Sequence, residues 1–364
     1  MLEKFTDEDL TKELSKIRGA DEERIKEARE YTLKLVAPPG SLGKLYSLGW
    51  QLAGISGKLH NDIPKRRIIV LCADNGVVEE GVSSAPQSVT VSQAINMTRR
   101  MTGMSTLAKH FDVDVCVADL GIAVDYNCPG IEDWRIRKST GNIAKGPAMT
   151  RQEALLAIGT GIQLAKNAKK DGMDIVGVGE MGIGNTSTSS AVLSVLTGAS
   201  VEEVTGLGGG LTADAFAKKK QVIKQAIDVN KPDKEDIMDV IAKVGGLDIA
   251  AMCGVFIGAA IERMPVVIDG FISIVAALCA YRLNPLTRVF MIPSHVSVEV
   301  GYLIAQKEMG LEPFLQMDMR LGEGSGCPLA FQIIEAACSI MNEMASFEEA
   351  SIDDGYLTEV RKVM

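Results

Sequence analysis

Residues 175–190 read Ile175-Val176-Gly177-Val178-Gly179-Glu180-Met181-Gly182-Ile183-Gly184-Asn185-Thr186-Ser187-Thr188-Ser189-Ser190. A short apolar run meets a glutamate and a glycine-rich turn, and small hydroxyl residues then open a helical pattern from Thr186. Strands buried on both faces read as continuous apolar runs, and a strand turning tightly into a helix is half of a βαβ unit. The arrangement recurs along the chain. Ile68 to Ala73 ends in Asp74-Asn75-Gly76, and Val113 to Ala118 ends in Asp119-Leu120-Gly121. Pro265 to Ile268 ends in Asp269-Gly270, and Val289 to Ile292 ends in Pro293-Ser294-His295. Longer helical patterns separate these runs. The rhythm predicts an α/β, Rossmann-like fold, a mostly parallel sheet flanked by helices. Ligands in such folds bind outside the carboxyl ends of the strands. Turns are commonly polar and glycine-rich, which accounts for part of this pattern; a carboxylate or hydroxyl at all five ends favours an active-site rim.

The outer segments are helical. Residues 6–35 read as two amphipathic helices, with Thr6 and Asp9 as a capping box and a break at Gly19-Ala20. Patterns at Pro328 to Met344 and Asp353 to Val363 predict two more. Residues 1–50 with 330–364 are thus expected to form a small helical domain from both chain ends, and residues 51–329 the α/β domain. The apolar stretch Phe271 to Tyr281 is too short to span a bilayer and suits a core or a face between subunits of an oligomer.

Composition narrows the function. The 364 residues are 46% hydrophobic and 23% charged, which places the chain among globular proteins. Aromatics at 5% leave little for a base-stacking platform, and a net charge of −9 argues against a nucleic-acid or anionic-membrane surface. The seven cysteines are scattered without a CxxC, which suits reduced thiols in a cytoplasmic protein. The acidic start, MLEKFTDEDLTKELSK, has no apolar core of a signal peptide. His60, His110 and His295 lie far apart, and nothing has zinc-ligand spacing, so no metal and no cofactor is expected. His295 and Glu299 are four apart, a commonplace spacing on a helix. GxSxG and Walker-type motifs are absent.

Four glycine-rich segments carry candidate chemistry. Gly177 to Gly182 matches GxGxxG after a strand pattern and before a helix, so an NAD-dependent oxidoreductase is one reading. Against it, Glu180 would repel a pyrophosphate, and Glu202 and Glu203 sit in a helical stretch instead of at a strand end. Gly184-Asn185-Thr186 can hold a phosphate at a helix N-terminus, or simply cap the helix. Gly206-Leu207-Gly208-Gly209-Gly210 precedes Lys218, Lys219 and Lys220, any of which could reach a phosphate as a point charge or stay solvated. In Met319-Arg320-Leu321-Gly322-Glu323-Gly324-Ser325-Gly326, glycines on both sides of Glu323 let a substrate approach the backbone. That suits a general base, or a tight turn with an exposed glutamate.

Taken together, these motifs resemble the nicotinate-nucleotide:dimethylbenzimidazole phosphoribosyltransferase family of cobamide lower-ligand activation. The shared runs are Pro38 to Gly43, Ala73 to Val77, Gly141 to Ala144, Gly179 to Thr186, Lys243 to Gly246, Val267 to Phe271, Ile292 to His295 and Met319 to Gly326. They fall in order across roughly residues 30–345. The resemblance implies a homodimeric transferase that moves the phosphoribosyl group of nicotinate mononucleotide to a benzimidazole nitrogen. Nicotinate and α-ribazole phosphate are the products, with inversion at the anomeric carbon. It implies Glu323 as general base and Glu180 as second catalytic carboxylate. Gln93 and Ala85 then line the aromatic-base pocket, and Lys219, Ser294, Gly184, Asn185 and Thr186 bind phosphate. Met181, Asp269, Leu321 and Gly322 complete the substrate-binding set. The departing pyridine leaves from a pyridinium and needs no general acid, while positive charge growing on the ribose suits a nearby carboxylate.

The chain departs from that family's pattern where Asn75 replaces a common His and Thr186-Ser187 a common Thr-Thr. With Ala85 and Gln93, these positions leave the acceptor open among benzimidazoles, purines and phenols. Some members of the family activate phenols as paired, nonidentical subunits. A catalytically inactive partner subunit is the competing reading, and the presence of both Glu180 and Glu323 argues against it.

Overall fold

The computed structural model describes residues 4–357. Its centre is one sheet of six strands: β1 (Arg66–Ala73), β2 (Asp114–Gly121), β3 (Ile131–Asp133), β4 (Ile175–Met181), β5 (Val266–Ile268) and β6 (Met291–Pro293). The order is β3-β2-β1-β4-β5-β6, and every neighbouring pair is parallel. The chain therefore works outward from β1 to one edge, returns to place β4 beside β1, and works outward to the other edge. That reversal is the switch point at which open α/β sheets leave a crevice. Leu71 pairs with Glu180 and Cys72 with Met181, so β1 and β4 end level with each other beneath it.

Both faces of the sheet are covered, which is why Ile68 to Ala73 is entirely buried. One face packs the helices Arg151–Lys170 and Leu247–Ile261, whose backbones touch. A Cβ on Gly161 would lie 1.9 Å from the Ala251 carbonyl oxygen, and one on Gly254 2.0 Å from that of Ile158. The helices Ser88–Thr98, Gly103–His110 and Cys327–Glu343 contribute to the cluster on the other face.

Segments from both chain ends meet. Helices Glu22–Thr32, Lys44–Ser56 and Cys327–Glu343 bury Ala28, Ala53 and Met341 together, and Leu35 bridges Ser346 antiparallel. The Thr6–Asp9 capping box forms as expected. Its helix, Asp7–Leu14, nevertheless lies against Arg151–Lys170, held by Arg151–Asp7 and Lys166–Glu13 ion pairs at 2.7 and 2.9 Å.

Several expectations change. Val289 and Phe290 belong to a 3-10 turn, and the strand holds only Met291–Pro293. The edge strand β3 was not anticipated, because it buries only Ile131 and so has no apolar run. Of the helix expected at Asp353 to Val363, the described part shows a 3-10 turn at Gly355–Leu357, and the remainder lies outside the described residues. Phe271 to Ala280 is buried within the chain itself and offers no face to a second subunit. No helix among the described residues is long and apolar enough to cross a membrane.

Candidate active site

Above the ends of β4, β5 and β6 lies a cleft of about 230 Å³. The turn after β4 supplies Glu180, Met181, Gly184, Asn185 and Thr186 to its wall. The end of β5 supplies Asp269, and the loop before the helix Cys327–Glu343 supplies Leu321, Gly322 and Glu323. Ala85 and Gln93 also line it, Gln93 next to Glu323. Chain stretches up to about 240 residues apart thus converge because parallel strands all end on one edge.

Glu323 has φ +63° between Gly322 at +82° and Gly324 at +86°. A left-handed non-glycine residue is held only where its surroundings impose it. Here Asp269 imposes it, accepting the backbone N–H of Gly324 at 2.9 Å and of Gly326 at 2.7 Å. Asp269 therefore both lines the cleft and clasps the loop. The Glu323 carboxylate accepts the Met104 backbone N–H at 3.2 Å and the Gln93 amide at 3.3 Å. Burial pushes its pKa up, and hydrogen bonds from Thr102 and Met104 oppose that.

Glu180 is also buried, and burial with the like charge of Asp248 pushes it up to about 8. Its Oε1 accepts the Glu323 backbone N–H at 3.3 Å, and its Oε2 accepts the Asn185 amide. Asp269 is pushed up to about 7, chiefly by burial. Near neutral pH these carboxyls retain proton density that an exposed pair would lose. A cation entering the cleft would favour their charged forms.

The turn beyond Glu180 suits an anion. The helix Asn185–Thr197 begins at Gly184, φ +98°, with no side-chain cap, and Gly184, Asn185 and Thr186 bring the positive end of its dipole to the cleft; the Asn185 and Ser187 N–H groups donate to the Gly182 and Gly184 carbonyls at 3.1 and 3.0 Å. Lys219, on the helix Ala213–Asn230, is 1% exposed and stands behind Thr186, donating to its Oγ1 at 2.9 Å and to the Gly206 carbonyl at 3.2 Å. Burial lowers it to about 8. Ser294 is buried behind the wall, bonded to the Asp269 carbonyl at 3.3 Å and the His295 ring at 2.9 Å. Neither Lys219 nor Ser294 borders the cleft itself.

Other residues reach the cleft that the sequence reading did not place there, including Ser83, Ser84, His295, Ser297, Glu299 and Arg320. His295 and Glu299 lie outside any helix, so their spacing was no helical pair; both face the site from an irregular segment after β6. The expected rim after that strand was the available signal for them. Burial lowers His295 to about 4, so its ring is neutral near pH 7. No group of three or more His, Cys, Asp or Glu among the described residues is arranged to hold a metal ion.

The GxGxxG glycines leave no room for a dinucleotide, because this chain fills the space. A Cβ on Gly177 would lie 2.6 Å from that of Cys327, one on Gly179 2.4 Å from the Glu323 carbonyl oxygen, and one on Gly182 2.1 Å from that of Ala73. Gly179 admits the backbone of the Glu323 loop, Gly177 the side chain of Cys327 and Gly182 the end of β1, where a pyrophosphate would need the space.

A Rossmann-type sheet with paired buried carboxyls beside a helix N-terminus that has no side-chain cap suits transfer of a phosphorylated group through a cationic transition state. The chain belongs to the phosphoribosyltransferase family, whose pattern matches residues 17–352. The nicotinate-nucleotide–dimethylbenzimidazole phosphoribosyltransferase of Clostridium tetani (strain Massachusetts / E88) is 49% identical over 354 residues, 97% of this chain and 98% of its own. The enzyme of the same name from Alkaliphilus metalliredigens (strain QYMF) is 45% identical over 94% of this chain and 99% of its own. The crystal structure of CobT from Thermus thermophilus matches with a TM-score of 0.88 at 33% identity, over 92% of this chain and all of that one.

Proposed function

We propose that this chain transfers the phosphoribosyl group of nicotinate mononucleotide to dimethylbenzimidazole or a related aromatic base, releasing nicotinate and forming α-ribazole phosphate. The observation that carries this reading is the convergence of Glu180 and Glu323 on one cleft beside a helix N-terminus that has no side-chain cap. The phosphate sits at the first turn of Asn185–Thr197, with Lys219 completing the charge behind Thr186. The aromatic acceptor lies beside Glu323, against Ala85, Gln93, Met181 and Leu321.

The carbon–nitrogen bond to the pyridinium breaks as the acceptor's lone pair forms a new bond to the anomeric carbon. The acceptor's other ring nitrogen then loses its proton to Glu323. Glu180 faces the ribose as it gains positive charge, and the approaching pyridinium draws Glu180 toward its carboxylate form. Gly322 is the close-packed point beside that carboxylate, and Ser294 orients His295 on the adjoining wall.

The reading extends to a cytoplasmic homodimer acting on small molecules. Reduced cysteines support the compartment: all seven are unpaired. The helical layer is drawn from Glu22–Thr32, Lys44–Ser56 and Cys327–Glu343, within the expected 1–50 and 330–364 apart from the helix ends that cross those bounds, and residues 51–329 carry the chemistry. Purified protein supplied with nicotinate mononucleotide and a panel of benzimidazoles, purines and phenols should release nicotinate and yield the phosphoribosylated base by mass. No nicotinate release with any acceptor would overturn the proposal.

A further inference from the structure

Below the cleft, one amide serves two buried carboxyls. The Asn185 side-chain nitrogen donates to Glu180 Oε2 and, at 3.0 Å, to Asp248 Oδ2. Asp248 lies in the first turn of the helix Leu247–Ile261, is fully buried, and does not border the cleft. An acidic residue in a first turn ordinarily serves the helix from the surface. That role accounts for Asp248 Oδ1, which accepts the Ile249 N–H at 3.0 Å, but not for Oδ2, which points to Asn185.

We propose that Asp248 is a positioning residue for the transfer, acting on Glu180 through the shared Asn185 amide. This rests on the phosphoribosyl-transfer reading above. An Asn amide has two N–H groups, and acceptors on both fix its orientation. Asn185 in turn fixes Glu180 Oε2, while the Glu323 backbone N–H fixes Oε1. Asp248 thus anchors one end of a line that reaches the loop carrying the base.

The surroundings leave the charge of Asp248 for Glu180 to feel. The titratable groups that act on Glu180 include Asp248, Asp269 from the end of β5 and the Cys72 thiol on β1, and the backbone of Glu323 donates to it. Arg320, His295 and Glu299 border the same cleft. Asn75 also bonds to Asp248, and a Cβ on Gly182 would lie 2.8 Å from Asp248 Oδ2 and 3.1 Å from Asn75 Nδ2. The pair is therefore closely packed, and Asp248 is itself pushed up to about 6, chiefly by burial. Removing its charge makes the Glu180 carboxylate easier to form.

The test is a pair of variants, Asp248→Asn and Asp248→Ala, assayed for nicotinate release across pH beside the wild type. Wild-type activity decides the underlying reading separately. Asp248→Asn keeps the shape and an acceptor for Asn185. Its rise of kcat with pH should move to lower pH by on the order of one unit, with KM for nicotinate mononucleotide within about twofold of wild type. Asp248→Ala frees one side of Asn185 and should lower kcat by roughly 10–100-fold, since small misplacements near the reacting centre cost on that order. A merely structural aspartate would lower the melting temperature and leave the profile where it was. An unmoved profile in a folded Asp248→Asn protein overturns the proposal, even if Asp248→Ala does not fold.

Discussion

Glu180 Oε1 accepts the backbone N–H of Glu323 at 3.3 Å, so the second carboxyl of the site holds the backbone of the first. The two are one unit drawn from β4 and from a loop over 140 residues later. Gly322 permits the contact: a Cβ there would lie 2.4 Å from Glu180 Oε1, and its φ is +82°.

Gly322→Ala should therefore damage the site more than the fold. The strained backbone costs on the order of 1–3 kcal/mol, and the added methyl displaces Glu180. We expect a folded protein by circular dichroism with kcat/KM lowered by about 100-fold or more. Wild-type kcat/KM in this variant would show that the Glu180–Glu323 contact is dispensable.

Glu323→Gln removes the basic oxygen and keeps the shape. A positioned general base contributes roughly 10²–10⁴-fold, and kcat should fall by about that factor while both substrates still bind, as checked by calorimetric titration. Near-normal turnover would shift the role of base to Glu180, to be examined by the same substitution there.

Glu180 makes stability depend on pH. Its carboxyl is pushed up to about 8 in the folded chain, from an ordinary value of 4.5. The folded state thus holds a proton that the unfolded state releases. The stabilisation is full below about pH 4.5 and is lost as pH rises toward 8. Glu180→Gln stays neutral throughout. Its melting temperature relative to wild type should climb between pH 5 and 8, by an amount corresponding to on the order of 1–3 kcal/mol. A difference that stays flat with pH would mean that Glu180 is not the buried titrating group.

Lys219→Met keeps the buried stem and removes the charge. With the cation acting on phosphate and not on the reacting bond, KM for nicotinate mononucleotide should rise by about tenfold or more, with kcat changed far less. In the wild type the same KM should begin to rise as pH passes about 8, where the free Lys219 loses its proton. An unchanged KM in the variant would place the phosphate elsewhere.

The sheet was legible because parallel strands buried on both faces are apolar without interruption, and Ile68 to Ala73 and Ile175 to Gly179 show this directly. The carboxylates at their ends were legible for the same reason, since a chain that must turn there exposes whatever residue it carries. The edge strand β3 lacked that signal, having one buried residue. The apolar segment at Phe271 marked burial, but sequence did not say whether its cover was this chain or another.

The residues alone determined an α/β chain with a glycine-bounded glutamate at 323 and a strand-end glutamate at 180, because local propensity and hydrophobic period act over a few residues. Only the tertiary structure decided that Gly179 and Gly182 make room for the protein's own backbone and Gly177 for the Cys327 side chain, and that Asp269 clasps the Glu323 loop. It alone brought Asp248 beneath Glu180 through one shared amide. Those facts depend on contacts between distant segments. The raised carboxyl pKa values depend on them too, because desolvation belongs to the packed environment and not to the residue.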